Sequence, residues 1–148
     1  MIKTFQGRIV VCGEANAKAV VSRQGFNTLA SFQKSLLAKK TDAVCSDQNN
    51  PDLFNKPMAH MALCLPQSIG STTGGLVFLT ASAMGAAPAC LLFSEPIDSL
   101  AAAGAILSDV WTQTSMPTID TLGKDFLDFV KDGMQVTVAM DGTVTVSD

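Results

Sequence analysis

Leu63-Cys64-Leu65-Pro66-Gln67-Ser68-Ile69-Gly70-Ser71-Thr72-Thr73-Gly74-Gly75-Leu76 is the stretch on which the fold turns. The apolar run Met61–Leu65 reads as a buried strand, and Pro66 closes it. Leu76, Leu79 and Ala83 recur at helical spacing and predict a helix that ends near Gly85. A strand, a short loop and a helix make one unit of an α/β sheet. The loop then lies at the carboxyl end of its strand, where such sheets bind ligands.

The loop is rich in glycine and hydroxyls. Gly70, Gly74 and Gly75 allow a ligand to approach the backbone. Ser71, Thr72 and Thr73 fall at the start of the predicted helix, where free N–H groups and the positive end of the helix dipole favour a carboxylate or phosphate. Two compatible readings are open: a hydroxyl that caps the helix, and an anion site. No Walker lysine follows, and the spacing does not fit the dinucleotide fingerprint, so a nucleotide site is disfavoured.

On the N-terminal side of this loop, Gly7–Gly13 reads as a buried strand and Ala17–Ser22 as a second. The pattern dissolves from Arg23 to Pro57, apart from a short helix within Ser31–Lys40. Such a polar stretch is expected to be functional or disordered. On the C-terminal side, Ala89–Phe93 reads as a strand. A helix follows from Leu100 to about Trp111, capped by Asp98 or Ser99, with Leu100, Ala103, Leu107 and Val110 on one side. Gly104 within it suggests close packing. Met116–Asp120 is extended, Phe126–Val130 is a brief helix, and a hairpin turning at Asp141-Gly142 closes the chain. The expectation is a single α/β domain over residues 1–148, with a mixed sheet and a few short helices.

The composition narrows the function. Of 148 residues, 47% are hydrophobic and 16% charged, enough to build a core. A mean hydropathy of +0.30 also fits a surface meant for a partner. The net charge is −3, with no Tyr and one Trp. Without a basic stripe or stacking aromatics, no nucleic-acid role is expected. No apolar run is long enough to span a bilayer and the first residues lack a signal-peptide core, so no membrane is expected and the location reads as cytoplasmic. Cys12, Cys45, Cys64 and Cys90 form no CxxC pair. Cys12, Cys64 and Cys90 are expected inside the core and Cys45 at the surface. His60 reads as a turn or surface residue. Asp98 reads as a cap rather than as half of a carboxylate pair with Glu95. Asp125 and Asp128 read as a solvated helix face.

The order of these features resembles the swivel domain of aconitase X proteins. The stretches that carry the resemblance are Gly7–Gly13 with Ala19–Ser22, Thr28–Phe32, Leu63–Pro66 leading into Gly70–Gly74, and Gly85–Ala89 with Glu95-Pro96. Lys34 to Pro57 matches poorly. The resemblance implies a swivelling β/β/α domain that acts as the small subunit of a dehydratase and is inactive alone. Its partner would be a large aconitase-like subunit carrying iron or an iron–sulfur cluster, with no cofactor or metal bound by this chain. Ser71 would be the catalytic base, with Ser68, Gly70, Thr72 and Thr73 binding a small carboxylate substrate. Backbone N–H donors at a helix start would stabilise the serine alkoxide. Family members that dehydrate mevalonate phosphate carry an arginine where Ile69 stands, and Arg suits phosphate bidentately. The expected reaction is therefore dehydration of cis-3-hydroxy-L-proline to Δ1-pyrroline-2-carboxylate. The alternatives are mevalonate 5-phosphate, another hydroxy acid, or an anion-binding module without chemistry.

Overall fold

The computed structural model describes residues 1–70 and 72–148. Among these residues, eight strands join into one mixed sheet. They are β1 (Ile2–Phe5), β2 (Arg8–Val11), β3 (Ala15–Val21), β5 (Ala62–Leu65), β7 (Cys90–Phe93), β8 (Thr118–Asp120), β9 (Gln135–Val138) and β10 (Val144–Ser147). The sheet order is β1-β10-β9-β3-β5-β7-β8-β2. Its centre, β3-β5-β7-β8, is parallel. Antiparallel strands flank it: β2 on β8, and the β9–β10 hairpin with β1 on β3. Two short strands, β4 (Phe26–Asn27) and β6 (Ser68–Ile69), pair in parallel beside it. The helices are α1 (Thr28–Leu37), α2 (Gly74–Ala83), α3 (Ser99–Trp111) and α4 (Lys124–Phe129).

Side chains alternate across a strand, so the central strands feed two cores. Leu63 and Leu65 of β5, with Leu91 and Phe93 of β7, pack into one cluster with Phe26, Phe32 and Phe78. These three phenylalanines meet with ring centroids 5.9–6.3 Å apart and tie α1 to α2. Ala62, Cys64, Cys90 and Leu92 point the other way, into a cluster with Phe5, Phe126, Val136 and Val146. Burial pushes the Cys90 thiol up to about 12 and raises that of Cys64 well above its ordinary value, so both stay protonated.

The structure corrects the sequence reading at several points. β2 is an edge strand, not a buried one: it pairs only with β8, and Ile9 is exposed. Cys12, just beyond it, is exposed, whereas Cys45 is buried. The segment from Arg23 to Pro57 holds β4 and α1, and its irregular part packs Ala43, Cys45 and Leu53 into the first core. Backbone bonds fix it, such as Cys45 N to Lys56 O at 2.9 Å and Ser46 N to Ser31 O at 2.9 Å. Its polar sequence concealed this because Asp47 and Asn50 are buried too, where they cap their own turns.

The inward faces of α2 and α3 are also the reverse of the expected ones. α2 buries Gly74, Val77, Phe78, Ala81 and Ser82, and leaves Leu76 exposed. α3 buries Ala101, Gly104, Ala105 and Ser108, and exposes Leu100, Val110 and Trp111. The two helices cross at Gly75 and Gly104. A Cβ on Gly75 would meet the Leu100 carbonyl at 2.3 Å, and one on Gly104 would meet the Gly75 carbonyl at 2.4 Å. Small residues turn inward because the backbones nearly touch, and the larger apolar side chains are displaced outward.

Candidate functional site

Three parallel strands deliver their carboxyl ends to the same place. β3 runs through Ser22–Gly25 into β4 and α1, β5 runs through Pro66–Gly70 towards α2, and β7 runs through Ser94–Asp98 into α3. Backbone bonds lace these connections: Phe26 N to Gln67 O at 2.8 Å, Ser94 N to Leu65 O at 2.9 Å, and Glu95 N to Pro66 O at 3.1 Å. The starts of α1, α2 and α3 therefore converge on one open cleft of about 230 Å³. It is lined by Thr28, Ser68, Ile69, Gly70, Gly74, Asp98, Leu100 and Ala101. Each helix presents its positive end there.

Of the residues singled out in the sequence, Ser68 and Gly70 line the cleft. Thr72 and Thr73 are exposed beside it, leading into α2. Ser71, the expected base, lies outside the described residues. Thr73 occupies the N-cap position of α2 but gives no side-chain cap bond. At the starts of α1 and α3 a side chain caps the helix. Asn27 accepts from Ala30 N at 3.1 Å, and Asp98 accepts from Leu100 N and Ala101 N, both at 3.0 Å.

The loop glycines serve different ends from the one expected. Gly70 has a φ of +92°, open to glycine, and a Cβ there would meet Asn27 Nδ2 at 2.8 Å. Gly75 makes room for α3. Gly74 also lines the cleft, and a Cβ added there would make only an ordinary contact, 3.6 Å from Thr28 Oγ1. Sequence reading thus missed Asn27 and Thr28, although the Asn-Thr pair just after a short apolar strand is a helix-start signal.

Behind the cleft, Asp120 holds the loop that enters α3. It is fully buried and accepts from Ile97 N at 2.7 Å, Arg8 Nε at 2.9 Å and Arg8 Nη2 at 2.5 Å. Burial alone would push this carboxyl up. The Arg8 hydrogen bonds, the Ile97 amide, the Arg8 charge and the Thr121 hydroxyl together outweigh it and hold the value below the ordinary one. Glu95 is exposed, and Asp98 caps α3, as the sequence suggested. Asp125 and Asp128 lie on the exposed face of α4, where Lys124 pairs with Asp128 at 2.6 Å. Among the described residues, no three His, Cys, Asp or Glu side chains come together as a metal site. No helix among them is long and apolar enough to cross a membrane.

Comparison with known proteins gives a consistent picture. The sequence profile of the aconitase X swivel domain matches residues 4–146. The phosphomevalonate dehydratase small subunit of Methanosarcina mazei is 31% identical over 134 residues, covering 90% of this chain and 83% of that one. The protein of the same name from Methanothrix thermoacetophila is 38% identical over 128 residues, covering 85% and 81%. The crystal structure of Thermococcus kodakaraensis aconitase X in its holo-form superposes with a TM-score of 0.82 at 26% identity, over 99% of both chains.

Proposed function

The chain belongs to the aconitase X swivel-domain family, and on that basis we propose that it is the small subunit of a heteromeric dehydratase that removes water from a hydroxy acid. The observation that carries this reading is the convergence of three helix starts on the loop from Ser68 to Gly74. Ser71 falls within that loop in the sequence and is assigned the role of base. A serine hydroxyl is a weak base at neutral pH, and donors at a helix start lower the cost of its alkoxide. The remaining wall of the site, in this reading, comes from a large aconitase-like subunit. Its iron supplies the Lewis acid for the departing hydroxyl when bound. The exposed Val110 and Trp111 fit a chain that is covered in an assembly.

Mevalonate 5-phosphate is the leading substrate, because the curated relatives carry that activity in their names. In this reading its phosphate is held by the large subunit. One observation favours a second substrate, cis-3-hydroxy-L-proline. Ile69 is 51% exposed at the cleft, and none of the described residues lining it is a Lys or Arg that would bind phosphate. The test is the purified complex of this chain and its large subunit, assayed on both compounds. Turnover of mevalonate 5-phosphate supports the first reading. Turnover of cis-3-hydroxyproline alone replaces it with the second. A complex that dehydrates no hydroxy acid overturns the assignment.

A further inference from the structure

α2 and α3 are apolar on two sides, and the fold uses only one of them. Val77, Phe78 and Ala81 of α2 enter the same core cluster as Ala101 and Ala105 of α3, so both helices lie on one face of the sheet. The opposite sides look outward. On α3, Leu100, Ala103, Ile106 and Val110 recur every three or four residues and are exposed, and Trp111 extends the row. On α2, Leu76, Thr80 and Ala83 do the same. Leu76 is 62% exposed, Val110 66% and Trp111 69%. α2 carries no charged residue, and Asp109 is the only one in α3. A helix that is apolar all round belongs in a buried setting.

The two outward sides make one face. At the helix starts, Gly74 of α2 and Leu100 of α3 share the cleft. At the helix ends, Ala83, Met84 and Trp111 share a shallow groove. The face thus runs the length of α3, about 20 Å, from the cleft mouth to Trp111. Leu100 belongs to both the cleft and the face, so a partner that completes the site at the cleft meets the face without a break. A second copy of this chain, seated there by two-fold symmetry, would cover Leu100 on both chains and shut the cleft. The shortage of charge matches the core of a stable interface, where charged residues are depleted.

We infer that the outward face of α2 and α3, from Leu76 and Leu100 to Val110 and Trp111, is the surface on which the large subunit docks, through a matching face that is apolar and uncharged. This rests on the dehydratase-subunit reading and adds where the partner sits. Val110 and Trp111 lie at the far end of α3 from the cleft. Their loss therefore acts on assembly and not on the chemical step.

The test uses the co-expressed complex of this chain with its large subunit, and reads the dissociation constant by analytical ultracentrifugation. Val110→Asp buries an unpaired carboxylate in the contact and should weaken the complex about a hundredfold or more. Trp111→Ala adds no charge and should weaken it about thirtyfold. Ile2→Asp, on the exposed edge strand β1, should leave it within about twofold of wild type. An excess of either α3 variant should restore wild-type kcat, which also shows that the variant chain is folded. Unchanged dissociation in both α3 variants overturns the docking face, as does equal weakening by Ile2→Asp. A wild-type chain that dimerises alone, and that Val110→Asp makes monomeric without altering binding of the large subunit, gives the face to a second copy and overturns the proposal. A wild-type chain that forms no complex with the large subunit overturns the dehydratase-subunit reading itself, whereas an active wild-type complex with unaffected variants overturns the docking face alone.

Discussion

The starts of α2 and α3 stand side by side across the Gly75–Gly104 crossing, and they are finished differently. At α3 the chain supplies its own anion: the Asp98 carboxylate accepts from two amides of its helix. At α2 the N-cap residue, Thr73, makes no such side-chain bond. Both starts carry cap-forming residues in the sequence. An N-cap signature therefore marks a helix start without saying what completes it. At α3 the fold does, through Asp98.

Three substitutions probe this contrast. The largest effect is expected from Gly75→Ala. Its Cβ would lie 2.3 Å from the Leu100 carbonyl, a backbone clash that no side-chain rotation relieves. The two helix starts must separate, at about 3 kcal/mol or more, measurable by chemical denaturation. A variant as stable as wild type would remove the crossing as the feature that sets the cleft.

Asp120→Ala comes next. It releases Ile97 N and Arg8, and should cost about 2 kcal/mol. Its pH dependence is defined by sign. The folded-state value lies below the ordinary one of about 3.9. The carboxylate therefore stabilises the fold above that pH, and its contribution is lost as pH falls from there through the folded-state value. Wild type and Asp120→Ala should converge in stability in that acid range and differ at neutral pH. A constant gap across the range would contradict a role for the ionised carboxylate.

The smallest effect is that of Asp98→Ala, which removes the cap of α3 for about 1 kcal/mol. It also takes a negative charge from the cleft, so an anionic substrate should bind no worse. A marked rise in KM without loss of stability would show that Asp98 serves the substrate rather than the helix.

Much of the architecture was legible in the sequence. Strand-to-helix units were visible in Met61–Leu65 with the following apolar repeat, in Ala89–Phe93 with the Asp98 cap, and in the Asp141-Gly142 hairpin, where Gly142 has a φ of +87°. What failed had local causes. α2 and α3 are apolar on both sides, so spacing could not tell the face that packs from the face that does not; the glycine crossing decided it. Cys12 and Cys45 exchanged places because burial depends on edge position and loop packing, not on neighbouring residue types. Part of the cleft was legible, through Ser68 and Gly70. Thr28 was not, because it reaches the cleft only through the pairing of β4 with β6. Ile69 alone could not fix the substrate: it pointed to cis-3-hydroxy-L-proline, whereas the names of the relatives point first to a phosphorylated one.

The dehydratase reading stands or falls with the loop leading into α2, which must supply the base to a site shared with a large subunit. Ser71→Ala in the reconstituted complex is the decisive test. kcat for dehydration should fall by about 10²–10⁴-fold, with KM and complex formation near wild type. A Ser71→Ala complex that retains wild-type kcat would contradict the assignment.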